Sequence, residues 1–150
     1  MAINNKNNSK KELYKYLALY TLLSIIIVIY LALGIAGILG GESVTQAIKI
    51  YFGANIDLSS QFSYVLKILG VYMLTFAILG FMALRNPIKN RLAINAIIIL
   101  LLLRSLEKIV FFESARTSFN VSVGRSIIGI VTYLLVAFLL YVLTPNRFKN

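Results

Sequence analysis

Four long apolar stretches, at about 13–39, 62–84, 88–112 and 123–143, alternate with short polar breaks along the chain. From Tyr16 to Gly41 no residue is charged, a run longer than the ~20 residues an α-helix needs to cross ~30 Å of hydrocarbon. In lipid every backbone polar group must find its partner within the protein, which makes such stretches helices. The pattern predicts an all-α integral membrane four-helix bundle, with residues 1–150 forming one transmembrane domain. The first apolar run exceeds the 7–15 residues of a signal-peptide core, so it reads as a retained signal anchor.

The breaks carry their own local signals. Ser43 and Gln46 fit a capping box, and Val44, Ala47, Ile48, Tyr51 and Phe52 recur at helical spacing with Gly53 placed as a stop. This predicts a short amphipathic helix over about 44–52, lying on the membrane surface or folded over the bundle. Ser59 and its neighbours precede the second span. Asn86 and Pro87 form a natural start for the third, so the second and third spans are expected to be joined by a very short turn. Residues 113–122 read as a short loop before the fourth span, which Thr144 and Pro145 end.

The end of the first span holds Gly34, Ala36, Gly37, Gly40 and Gly41. The pairs Ala36/Gly40 and Gly37/Gly41 have the small-xxx-small spacing that lets a second helix backbone come close. Equally, a cluster of glycines ends a helix. Both readings stay open at this point.

Charge then orients the chain. Net charge is +10, and Lys6, Lys10, Lys11, Lys15, Arg85, Lys89, Arg91, Arg147 and Lys149 all fall on one side of the spans. The opposite loops hold only Lys49 and Arg116. The positive-inside rule therefore predicts a cytoplasmic membrane protein, bacterial or archaeal, with both termini in the cytoplasm. Basic residues at span ends point to anionic phospholipid headgroups, and nucleic-acid binding is not expected.

The remaining cations, Lys67, Arg104, Lys108 and Arg125, belong to the spans themselves. Arg104, Glu107 and Lys108 are spaced to share one helical face, and Arg104 lies roughly 12 Å inside the helix end counted from Phe112. Charges within a span cost at least ~2.5–3.5 kcal/mol each at the bilayer centre and usually face protein or water. If the helices close, Lys67, Arg104, Glu107, Lys108 and Arg125 meet at one level, with four cations against one carboxylate. Glu113, Asp57 or Glu42 from the loops, a lipid phosphate, a bound anion or a partner's acidic residue are then candidates to balance them. The plainer reading is that Lys and Arg near helix ends snorkel to the interface and only anchor.

Catalytic means are few. The chain has no Cys, His or Trp, which removes thiolate and imidazole chemistry, and no cofactor is expected. A lone carboxylate between two cations, as Glu107 is, makes a poor general acid or base. Asn95, Ser24, Thr75, Ser126 and Thr132 are scattered polar positions suited to interhelical hydrogen bonds. Asn120 and Ser122 match a glycosylation sequon, a short motif common by chance.

Ala83-Leu-Arg-Asn-Pro87 followed by Leu103-Arg-Ser-Leu-Glu-Lys108 resembles a pattern in small four-helix bacterial membrane proteins of the DoxX-like kind. The resemblance covers about a third of the chain and implies a fold and an accessory role. Taken together, the residues favour a non-catalytic accessory subunit of a membrane complex, packed on partner helices and anionic lipid. The alternative is a small transporter or a lipid- or anion-binding protein that uses the Arg104/Glu107/Lys108 cluster.

Overall fold

The computed structural model describes residues 2–40, 42–52 and 59–144. They form six α-helices and no strand: α1 (Ala2–Leu39), α2 (Glu42–Phe52), α3 (Ser60–Arg85), α4 (Arg91–Val110), α5 (Phe112–Phe119) and α6 (Val123–Leu143). Three of them are long and apolar enough to cross a membrane: α1 from Glu12 to Leu39, α3, and α6. Little of each is buried inside the chain, and Leu17, Val28, Tyr72, Ile78, Phe138 and Tyr141 are among many large apolar side chains left exposed. A surface this apolar matches a surrounding of lipid, not water. With 20 residues α4 is also long enough, but Arg104, Glu107 and Lys108 keep it from being a purely apolar span.

The most extensive contact is between α1 and α3, and glycine is the reason. A Cβ on Gly37 would lie 2.9 Å from the Cα of Gly70, and one on Gly34 would lie 2.7 Å from the Leu74 side chain. A Cβ on Gly70 would lie 2.8 Å from the Gly34 carbonyl oxygen, and one on Gly80 would lie 2.7 Å from the Ile27 side chain. Between helices in lipid there is no hydrophobic drive to associate, so close van der Waals contact has to supply the attraction. The glycine cluster divides by position. Gly34 and Gly37 pack, whereas Gly40 (φ 70°) sits just past the last helical residue, in the left-handed conformation that stops a helix. Gly41 lies outside the described residues.

As α1 residue numbers rise from 27 to 37, the α3 residues facing them fall from 80 to 70, so the two helices run antiparallel. The same holds for α4 and α6, where the Ser105 hydroxyl donates to the Ile130 carbonyl (3.4 Å) and Lys108 lies over Gly129. Smaller contacts of α3 with α4, and of α1 with α6, join the two pairs. The start of α1, the α3–α4 turn and the end of α6 therefore share one end of the molecule. That end carries the closed core, built from Leu19, Leu23, Ile26, Ala83, Ile94, Ile97, Leu101, Ala137 and Leu140.

Local caps decide where the helices break. Ser59 caps α3 by accepting from the Phe62 N–H (3.2 Å), and Ser122 caps α6 by accepting from the Arg125 N–H (3.4 Å). The turn between α3 and α4 is longer than the sequence suggests, because Pro87 does not open α4. Asn86 accepts from the Lys89 N–H (3.0 Å), Asn90 donates to the Met82 carbonyl (2.7 Å), and α4 begins only at Arg91. The expected loop at 113–122 is mostly helix α5, ended by Asn120 in the left-handed region (φ 51°). α2 starts at Glu42, which puts Ser43 inside its first turn and not at its N-cap, a shift of two residues. Gly53 falls outside the described residues.

The glycine contact predicts a sharp asymmetry between substitutions. Gly70→Val is expected to lower stability by about 1–3 kcal/mol, since its side chain meets backbone that has no room to give. Gly124, with nothing within 4 Å, should accept Ala without loss. Thermal unfolding of both variants in mild detergent checks this, and equal melting would refute tight α1–α3 packing.

Candidate functional site

At the end opposite the closed core the two helix pairs part and leave a cleft of about 260 Å³. Its floor is Gly37 and Gly70, the residues whose missing side chains also bring α1 against α3. Leu33, Leu66, Leu69 and Met73 add apolar wall from α1 and α3. Val44 and Ile48 of α2 close over it, and Phe111, Ala115, Phe119 and Val121 line it from α5 and its flanks. The side chains of Arg104, Glu107 and Lys108 provide nearly all the polarity, joined by the hydroxyl residue Ser126.

These three charges come to the cleft because 104, 107 and 108 lie on one face of α4. Arg104 pairs with Glu107 at 3.3 Å, and both side chains remain partly exposed, at 32% and 49%. The Lys108 stem runs across Gly129 of α6, where a Cβ would lie 3.0 Å from its Cε. With α4 ending at Val110, Arg104 sits roughly 9 Å from the helix end. Its charge is thus set below the level of the loops.

The cluster is smaller than the sequence suggests. Lys67 is exposed and does not line the cleft; its stem runs beside the end of α1, 3.8 Å from where a Gly40 Cβ would stand. Arg125 has another task. Its guanidinium donates to the carbonyls of Lys49 (3.1 Å) and Ile50 (3.4 Å), among the last four carbonyls of α2. Those groups have no partner within their helix and mark the negative end of its dipole, so a cation there is favoured. Glu113 does not reach the cluster either, but approaches Arg116 one turn along α5 (3.8 Å). Asp57 and the Glu42 side chain lie outside the described residues. Among the described residues, the charged side chains that line the cleft are Arg104, Glu107 and Lys108, and Lys67 and Arg125 do not join them.

Three elements of the site escape a reading of the spans. Gly70 was not singled out, although Gly70, Ala77, Gly80 and Ala83 recur at spacings of seven, three and three along α3, and all are buried. Ser105 lies between the charged residues and bonds α4 to α6. The α5 wall carried no apolar run long enough to show. Comparison with protein-family models, with curated proteins and with solved structures gives no match.

The Arg125 contact predicts that this side chain helps to hold α2 over the cleft. Arg125→Met, which keeps the stem and removes the donors, should speed amide exchange in residues 45–50 by about five- to tenfold. Exchange in the middle of α6 should not change. Unaltered exchange in α2 would mean that the bond holds nothing in place.

Proposed function

We propose that this chain is a non-catalytic integral membrane protein that crosses the bilayer four times and holds an anionic amphiphile in the cleft between its two helix pairs. The observation that carries this is the composition of that cleft: apolar walls from α1, α2, α3 and α5, with Arg104 and Lys108 on one edge. An apolar chain suits the walls, and a head bearing negative charge suits the two cations. α4 is the fourth span, its charges sheltered by α6, α5 and the bound head. α2 lies at the outer interface, with Val44 and Ile48 turned inward. Basic residues at the opposite end place both termini in the cytoplasm.

A second reading, an accessory subunit of a larger complex, is favoured by one feature of α4. Beside the half-exposed Arg104–Glu107 pair, Leu103 and Leu106 are also exposed, a strip on which a partner helix bearing an acidic residue would fit. The DoxX-like resemblance agrees with such a role. The glycines weaken it, because Gly34 and Gly37 are already spent within the chain and are closed to a partner.

Native mass spectrometry after gentle detergent extraction separates the two. Amphiphile binding predicts a lone chain carrying anionic lipid, with occupancy falling about tenfold in the Arg104→Gln, Lys108→Gln double variant. Undiminished occupancy in that variant rejects the cleft as the site. Co-extraction with a second membrane subunit, broken by the same variant, would establish the accessory role. For the topology, a reporter active only in the cytoplasm should be bright when fused at the C-terminus.

A further inference from the structure

We infer that the cleft opens sideways, through a mouth between α3 and α4, and takes its amphiphile from the outer leaflet of the bilayer and not from water. This rests on the cleft and topology readings proposed above and names where the ligand comes from.

The lining divides by exposure. Among the described residues, those that α1, α2 and α6 give to the cleft are buried or half-buried, with Val44 of α2 at 2% and Ser126 of α6 at 5%. Leu69 of α3, Glu107 of α4, and Phe111 and Phe119 at the two ends of α5 line the same cleft and are exposed as well. A side chain can be both wall and surface only at an opening. The opening therefore lies on the flank where α3 and α4 stand side by side, with α5 at its outer edge. Near the turn that joins them the same two helices are closed, since Ala83 and Ile94 both belong to the core.

Lipid surrounds this opening. Val65 and Tyr72 lie one turn to either side of Leu69, and Leu103 and Val110 one turn to either side of Glu107. All four are large, uncharged and exposed. Depth agrees, because Leu69 is roughly 14 Å along α3 from its start and Arg104 roughly 9 Å from the end of α4.

Toward water the cleft has a roof. Val44 and Ile48 of α2 cover it, and Arg125 donates to the Lys49 and Ile50 carbonyls of the same helix. A small anion arriving from water would have to displace that apolar cover and shed its hydration. A lipid already in the leaflet has only to slide its head past the half-exposed Arg104–Glu107 pair, and its tail never leaves an apolar surrounding. The site is thus built for bilayer-resident amphiphiles.

The test uses the full chain in nanodiscs of phosphatidylcholine with a minor share of phosphatidylglycerol fluorinated in one acyl chain. Fluorine NMR saturation transfer reads the fraction of probe held and its rate of exchange with the bilayer. Val65→Trp with Leu103→Trp narrows the mouth from outside the lining, and exchange should slow at least about fivefold with the fraction held unchanged. Ile128→Trp, as large a change on the exposed face of α6, should leave the rate alone. So should Arg125→Met, which loosens the roof. An unchanged rate in the paired tryptophan variant, or a faster one in Arg125→Met, overturns the lateral route while the cleft reading stands. A second measurement needs no ligand. The chain has no cysteine, so a nitroxide on Leu69→Cys reports from one place. Oxygen dissolved in lipid should relax it more strongly than a water-soluble nickel chelate does, and the reverse order overturns the mouth. If the wild type holds no phosphatidylglycerol, or the Arg104→Gln, Lys108→Gln double variant holds as much as the wild type, the cleft reading fails and the route with it.

Discussion

The near-contact of two helix backbones at Gly37 and Gly70 shapes the rest of the molecule. In an apolar solvent helices gain nothing by hiding apolar surface from one another, so association depends on how closely their atoms approach. Removing two side chains at facing positions draws α1 and α3 together. Both glycines also border the cleft that lies between this pair of helices and α4 and α6. The close α1–α3 contact and the cleft thus share Gly37 and Gly70. At the other end, Leu19, Leu23, Ile94, Ile97 and Leu140 are fully buried and fill the space between the pairs.

α4 is the helix that most needs its neighbours. Arg104, Glu107 and Lys108 within 20 residues would make it an expensive span alone. The structure meets that cost by three local devices. Arg104 and Glu107 pair along the helix, the Lys108 stem crosses Gly129 where no side chain obstructs it, and Ser105 ties α4 to the Ile130 carbonyl. The charges then face a protein-lined cleft in place of lipid. A helix bearing functional charge is in this way carried by one chosen for packing, which explains why α4 joins most closely to α6 although α3 precedes it in the chain.

What was legible in the sequence follows from the range of the forces involved. Apolar stretches and the shared face of Arg104, Glu107 and Lys108 are set by residues within a turn or a span of one another, and periodicity displays them. Partner choice between spans is not local. Gly34 and Gly37 have their counterpart Gly70 more than thirty positions away, and only the folded chain reveals that they meet. Arg125 is a sharper case. Its sequence neighbourhood marks it as a cation at a helix start, but its bonds are to backbone carbonyls of Lys49 and Ile50, groups every residue possesses and no sequence pattern can single out. The convergence expected of Lys67 and Arg125 with the α4 charges relied on depth alone. Side chains at one level still point in different directions around their helices, and only those of α4 face the cleft.

The two ends of the chain use charge for different purposes, and the packing keeps them apart. At the shared end of the termini and the α3–α4 turn, Lys10, Lys15, Arg85 and Lys89 are exposed at span ends, where an ammonium or guanidinium stays hydrated and costs little. Such charges can be many, and their individual geometry matters little, because their action is on a whole leaflet. At the other end a few charges stand inside the span, where water is scarce and each must be balanced by a named group. Glu107 balances one cation, and the carbonyls of α2 engage Arg125. A closed core separates the two regions. The same residue types thus stand at the two ends in opposite degrees of hydration.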